Sequence, residues 1–290
     1  MAFIYHPAPA RKKHRFPRVF AFVFTFLLFS AVFAAVILWA ITQFAPAAPE
    51  SSSGYLPEFT AEDRGVLLVI FEQDRRAGGF VTVSADPAAG SITAAAFPRE
   101  TVVEDGVSRI RLYELYAQPD GGAAAARTLS ALTGEKIEKY MAVSIPNAGK
   151  IVNAFEKKLI LELPEDVSYT DPESQYTIRL TAGRVTLNGS QAAALLRYNG
   201  WQQGRSQQSL IHAQMIAALI NQYLIADRQD ADDFAAIIDW VDSNIRIPDY
   251  ERIKNGLDYL SEKNTGSVCT AVPAPGRYVG TADDVRFEVE

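Results

Sequence analysis

The chain has 290 residues, 48% of them hydrophobic, a single cysteine and a net charge of −6. One cysteine excludes an intramolecular disulfide and a cysteine-built zinc site, so the fold must stand on packing. Arg11, Lys12, Lys13, Arg15 and Arg18 concentrate positive charge at the start, leaving a strongly acidic remainder that argues against a nucleic-acid partner, because phosphate neutralisation needs a basic surface.

Residues 1–18 form a basic tail. Val19 to Ile41 follows without a charged residue and is rich in phenylalanine, with Trp39 and Phe44 near its far end. At ~1.5 Å per residue this run is long enough for the ~30 Å hydrocarbon core, and too long for the apolar part of a cleaved signal peptide. The basic flank predicts a cytoplasmic tail, one transmembrane helix over residues 19–41, and everything after it outside the cytoplasmic membrane. Residues 42–60, with Pro46, Pro57 and the serines 51–53, have too little apolar content to fold and read as an extracytoplasmic linker.

Residues 61–290 read as one extracytoplasmic α/β domain: layers of helix around a central mixed sheet. Gly65–Phe71 is a continuous apolar run, as expected of a strand buried on both faces. Phe80–Ala85 and Ser91–Phe97 are strands joined by a short turn at Asp86-Pro87 and Gly90. Ala123–Leu132 reads as a helix stopped by Gly134, and Tyr140–Ile145 as a strand. A helix capped by Asn147 runs to Lys158, then strands Leu159–Leu163 and Tyr176–Leu180. Asn188 starts a helix ending at Arg197. Ser206–Ile225 is the clearest amphipathic helix, with Leu210, Ile211, Met215, Ala218, Leu219 and Leu224 recurring at three- and four-residue steps. Asp232–Asn244 and Tyr250–Leu260 predict two more helices, and Thr270–Glu290 a strand-like end.

Common catalytic signatures are absent: no GxSxG, phosphate-binding loop, HExxH or Cys/His cluster occurs. His6 and His14 fall on the tail, and His212 reads as a surface or half-buried helical residue. Arginines are more suggestive. Arg99 follows Pro98 at a strand's end, where α/β sheets bind ligands. Arg197 and Arg205 flank a loop between two helices. Converging guanidinium groups would hold phosphates through charge-assisted hydrogen bonds; three arginines on surface loops is the competing reading.

The order of these features resembles the LytR–CpsA–Psr family of bacterial envelope proteins, from about Gly65 to about Tyr223. An apolar strand leads into Gln73-Asp74-Arg75. The strand Val81-Thr82-Val83-Ser84 and Asp86-Pro87 follow. A third strand ends in Pro98-Arg99-Glu100-Thr101. A helix closes on Leu132-Thr133-Gly134. Leu187-Asn188-Gly189-Ser190-Gln191-Ala192 leads to Arg197, and Gly204-Arg205 precedes the long helix.

The resemblance implies a transferase that moves a glycopolymer from a polyprenyl-pyrophosphate carrier to peptidoglycan through a phosphodiester bond, at the bilayer surface and with Mg²⁺. It implies Asp74, Arg99 and Glu100 as catalytic residues, Arg75, Arg99, Arg197 and Arg205 as substrate-binding residues, and Asp74 and Glu100 as metal ligands. The chain departs from the family where an Arg-Ser-Asp-Thr element is usual: here stands Arg76-Ala77-Gly78-Gly79, without a carboxylate. Asn199 and Gln208 occupy positions that are often arginine. Those departures imply, as the alternative, a weakened or inactive member that binds envelope lipid or glycan or partners an active enzyme.

Overall fold

In a computed structural model, which describes residues 63–73, 76–104, 108–154, 158–225, 237–264, 266–281 and 284–289, the apolar run expected as a buried strand forms β1, Gly65–Gln73. Its side chains divide between two cores. Leu68 and Ile70 enter one, Val69 and Phe71 the other, and none is more than 3% exposed. A strand covered on both faces needs apolar residues at every position, which explains the run.

β2 (Arg76–Asp86) and β3 (Ser91–Phe97) continue from β1 as an antiparallel meander, with Val69 opposite Val81 and Val81 opposite Ala96. A small hairpin, β4 (Val102–Glu104) and β5 (Arg109–Arg111), leads to helices α1 (Leu112–Tyr116) and α2 (Gly121–Thr133). Leu112, Leu115, Ala125 and Leu129 of these helices cover the Leu68/Ile70 face. β6 (Ile137–Ser144) returns parallel to β1, and α3 (Ile145–Ala154) starts the opposite layer. Two antiparallel pairs follow, β7 (Leu159–Leu163) with β10 (Gly183–Leu187), and β8 (Val167–Thr170) with β9 (Thr177–Leu180). With α4 (Gly189–Arg197) and α5 (Arg205–Leu219), α3 packs Ile151, Leu195, Ile211 and Met215 onto the Val69/Phe71 face. β11 (Val241–Ser243), α6 (Ile247–Lys263), β12 (Cys269–Pro273) and the hairpin β13 (Arg277–Thr281) with β14 (Asp284–Glu288) complete the described elements.

The result is a mixed α/β fold with a central six-stranded sheet in the order β11-β6-β1-β2-β3-β12 and helices on both faces. β6 is parallel to β1, β12 is parallel to β3, and the meander makes β1 and β3 codirectional. Four strands therefore present their carboxyl ends along one edge, where ligands of such sheets bind.

Several expectations are corrected. The helix Ser206–Ile225 does not run unbroken: α5 ends at Leu219 and Ile220–Ile225 widens into a π-helical turn. There Asn221 Oδ1 accepts the amides of Val268 and Cys269, each at 2.9 Å, and Gln222 bonds both the N–H and the C=O of Ile160. Those bonds to strand backbone favour the wider turn. In place of a helix through Asn244, Val241–Ser243 pairs with β6, and Asn244 Oδ1 accepts the Tyr140 amide at 2.8 Å. Edge pairing overrides local helical preference there. Asn147 does not cap α3, which begins two residues earlier; its amide Nδ2 donates to Trp240 O at 2.9 Å. Asn188, by contrast, caps α4, accepting from the Gln191 amide while the Gln191 side chain accepts from the Asn188 amide.

The expected tail, the Val19–Ile41 span, the linker 42–60, the pair Asp74-Arg75 and residues 232–236 of the expected helix lie outside the described residues. Among the described residues no helix is long and apolar enough to cross a membrane.

Candidate functional site

β3 delivers its last residue into Pro98 at the carboxyl edge. Both the amide and the hydroxyl of Thr101 donate to Pro98 O, at 2.9 and 2.6 Å, closing a tight turn around Arg99 and Glu100. The turn's backbone is fixed from two sides. Tyr113 N of α1 donates to Arg99 O at 3.2 Å, and Phe287 N of β14 donates to Glu100 O at 3.0 Å. Fixing the backbone this way aims the two side chains in different directions. The Arg99 guanidinium lies 4.7 Å over the Tyr113 ring, whereas Glu100 turns inward and is 6% exposed.

Glu100 gathers two arginines. Its Oε1 accepts Arg205 Nη1 at 3.0 Å and stands 3.7 Å from Arg99 Nε. Arg205 is the first residue of α5, so helix and strand end meet through this ion pair. The other carboxylate oxygen, Oε2, is buried with no hydrogen-bond partner among the described residues. Arg99 and Arg205 keep 37% and 51% of their side-chain surface exposed, so both retain donors for an anion.

Arg197 is held otherwise. As the last residue of α4, it points into a buried ion pair, with Nη1 donating to Asp171 Oδ2 at 2.7 Å and Nη2 donating to Glu173 Oε2. Burial pushes the Asp171 carboxyl up, but the Ser174 hydroxyl, the amides of Glu173 and Ser174 and the Arg197 charge together bring it below its ordinary value. Gln73, at the end of β1, donates to Glu173 Oε1 at 3.2 Å, which places this ion pair at the same sheet edge as Arg99. Arg99, Glu100 and Arg205 are thus brought together, Arg197 is paired with Asp171 and Glu173, and Asp74 and Arg75 lie outside the described residues. Asp171 and Glu173 were not expected. Their signal in the sequence is only Asp171-Pro172-Glu173 between two strands, an ordinary turn pattern.

The segment replacing the family's Arg-Ser-Asp-Thr element opens β2. A Cβ on Gly78 would meet only Phe71 O, at 3.5 Å, an ordinary contact. Gly79 is different, because the His212 ring occupies the space beside it. His212 is 1% exposed, not a surface or half-buried residue as its lone place on a helix suggested. Its Nε2 pairs with Leu196 O at 3.1 Å, its Nδ1 has no partner among the described residues, and the ring lies 5.1 Å from that of Phe71. Burial holds its pKa down at about 4, against the raising effect of the Leu196 carbonyl, so the ring is neutral at pH 7.

Among the described residues no group of three or more His, Cys, Asp or Glu side chains could hold a metal ion unaided. Mg²⁺ bound with a phosphate ligand typically uses one or two protein carboxylates, the rest of its shell being phosphate and water oxygens. Glu100 Oε2 is a carboxylate oxygen without a partner among the described residues, but it is buried.

Taken together, fold and site define a three-layer α/β domain whose parallel strand ends carry a buried carboxylate between two half-exposed guanidinium groups. The sequence model of the LytR_cpsA_psr family matches residues 62–284, and the chain belongs to the LytR–CpsA–Psr family. No curated protein matches the chain. Among solved structures, one from Eubacterium siraeum is 16% identical with a TM-score of 0.68, covering 84% of this chain and 93% of that one. TagV of B. subtilis is 19% identical with a TM-score of 0.63, covering 78% and 91%. TagT, in a structure bound to LI-WTA, is 14% identical with a TM-score of 0.60, covering 80% and 87%. At these identities the likeness is one of fold.

Proposed function

We propose that this protein works at the outer face of the cytoplasmic membrane, anchored by Val19–Ile41, and binds the pyrophosphate of a polyprenyl-linked glycopolymer at the Arg99–Glu100–Arg205 edge. The reaction is transfer to peptidoglycan. An acceptor hydroxyl attacks the glycopolymer-side phosphorus, the bond to the bridging oxygen breaks, polyprenyl phosphate leaves, and a phosphodiester forms. The observation that carries this reading is the pair of half-exposed guanidinium groups on one buried carboxylate, in a chain of this family.

Arg99 and Arg205 neutralise the phosphate oxygens and the charge that grows on the leaving group. Glu100 orients both arginines, and with Asp74 it would hold Mg²⁺ or take the acceptor's proton. Mg²⁺, when bound, supplies further neutralisation of the pyrophosphate oxygens. Arg75 and Arg197 are proposed as further substrate contacts, Arg197 only where the anion displaces a carboxylate that now holds it.

A second reading, slow or absent transfer with binding retained, is favoured by two observations. Gly78 stands where the family's aspartate is usual, and Arg197 is already neutralised by Asp171 and Glu173. The test is a full-length preparation given labelled polyprenyl-pyrophosphate substrate and Mg²⁺. Weak binding that falls in Arg99→Ala, with little product, is the expected result. No binding by the wild type, or binding unaffected by both Arg99→Ala and Arg205→Ala, would overturn the site. Robust turnover lost in Glu100→Ala would instead establish a working transferase.

A further inference from the structure

Arg197 carries one positive charge and faces two carboxylates of very different character. Asp171 is 1% exposed and built into its turn: its carboxylate accepts the amides of Glu173 and Ser174 and the Ser174 hydroxyl. It cannot leave without dismantling the loop between β8 and β9. Glu173 is 37% exposed, and among the described residues its carboxylate is held by Arg197 Nη2 and the side-chain amide of Gln73. One carboxylate neutralises the guanidinium, and the second is in excess and exchangeable. The Arg197 side chain is 5% exposed and its Nε has no partner among the described residues, so the group has a donor left over in a place that water does not reach freely. An oxyanion entering where Glu173 sits would recover Nη2, and one with a second oxygen could also reach Nε.

We propose that Glu173 is a specificity-determining residue: a resident carboxylate that occupies the anion position of Arg197 and admits only ligands charged strongly enough to displace it. The inference rests on the sheet edge being a pyrophosphate site and names the gate on one side of it. Exchange of one anion for another leaves the charge on Arg197 balanced, so the buried guanidinium never stands unpaired. A singly charged group competes poorly with a carboxylate already in place. A pyrophosphate, with more charge and two sets of oxygens, competes well.

The test is isothermal titration of the full-length protein with inorganic pyrophosphate and, separately, inorganic phosphate, in wild type, Glu173→Gln and Gln73→Ala. Glu173→Gln is expected to bind pyrophosphate about tenfold more tightly, the scale of one charge-assisted contact no longer competed for. It is also expected to gain more for phosphate, so that the preference for pyrophosphate narrows. Gln73→Ala, which loosens Glu173 without touching Arg197, should move both affinities in the same direction by less. Nitrogen-15 spectra of the arginine side chains should show the Arg197 Nε signal shifting with ligand more strongly in Glu173→Gln. Unchanged or weaker binding by Glu173→Gln, or no binding by wild type and variant alike, would overturn the proposal. A gain in Glu173→Gln alongside unaltered binding in Arg99→Ala and Arg205→Ala would keep Glu173 as a gate and discard the Arg99–Glu100–Arg205 site.

Discussion

A Cβ placed on Gly79 would fall 2.1 Å from Nδ1 of His212, so β2 and α5 meet at a point where strand and ring share one volume. The ring fills the space a side chain at residue 79 would take. Gly79→Ala should therefore be destabilising by about 1–3 kcal/mol, the usual cost of overpacking a core. His212→Ala, itself costly, should remove most of that penalty when combined with it. Denaturant unfolding of the two single variants and the double gives the coupling. Additive losses would mean the ring moves aside freely and the two positions are independent.

Gly78, one residue earlier, has the opposite prospect. With only Phe71 O at 3.5 Å from a new Cβ, Gly78→Asp should fold with stability within about 1 kcal/mol of the wild type, since replacing a strand glycine also recovers chain entropy. It restores a carboxylate where the family's Arg-Ser-Asp-Thr element has one. If its absence is what limits transfer, Gly78→Asp should raise product formation from polyprenyl-pyrophosphate at least tenfold, roughly the scale of one positioned acid or base group. A well-folded variant with unchanged turnover would show that the limitation lies elsewhere.

Stability should fall in mild acid because of His212. Its folded pKa, about 4, lies below the ordinary histidine value of 6.5. Between those two values the unfolded chain binds a proton that the folded chain refuses, so lowering the pH favours unfolding, and the loss is recovered above pH 6.5. From pH 7 to pH 5 the expected loss is about 2 kcal/mol. Asp171, also lowered on folding, adds a loss of the same sign at more acidic pH. Denaturant midpoints at pH 7 and pH 5 should show a smaller difference in His212→Gln, and an equal difference would remove His212 as the cause.

Asp171→Asn should be far more damaging than Glu173→Gln. Removing Asp171's charge leaves the Arg197 guanidinium, in its 5% exposed setting, with only an exchangeable partner, and breaking a buried pair costs about 3–5 kcal/mol. Glu173→Gln should cost under about 1 kcal/mol, as expected for a partly exposed partner. Thermal unfolding of the two variants side by side distinguishes a structural carboxylate from an exchangeable one. Equal losses would contradict the division of roles.

The frame of the fold was legible because the physics behind it is local. A strand buried on both faces needs an unbroken apolar run, and Gly65–Phe71 is one. Asn188 and Gln191 stand at capping-box spacing, and they cap α4. What escaped was decided by distant partners. Val241–Ser243 became a strand through pairing with β6, and the turn at Asn221 widened to reach Val268 and Cys269. In the site, Arg99, Glu100 and Arg205 could be named from motif order, but nothing in their own neighbourhoods shows that Glu100 turns inward between the two arginines. Asp171 and Glu173 were invisible as partners of Arg197, because neutralising a buried charge is a property of the assembled fold.

The bond from Phe287 N to Glu100 O and the pairing of Phe287 with Thr101 have a consequence for the order of synthesis. A ribosome completes every other described strand and helix before it reaches β13 and β14. Until then the turn that aims Arg99 and Glu100 lacks one of its two backbone anchors. The emerging chain can build its sheet and bury its cores while this edge stays unset, so the basic edge matures only with the last described strand.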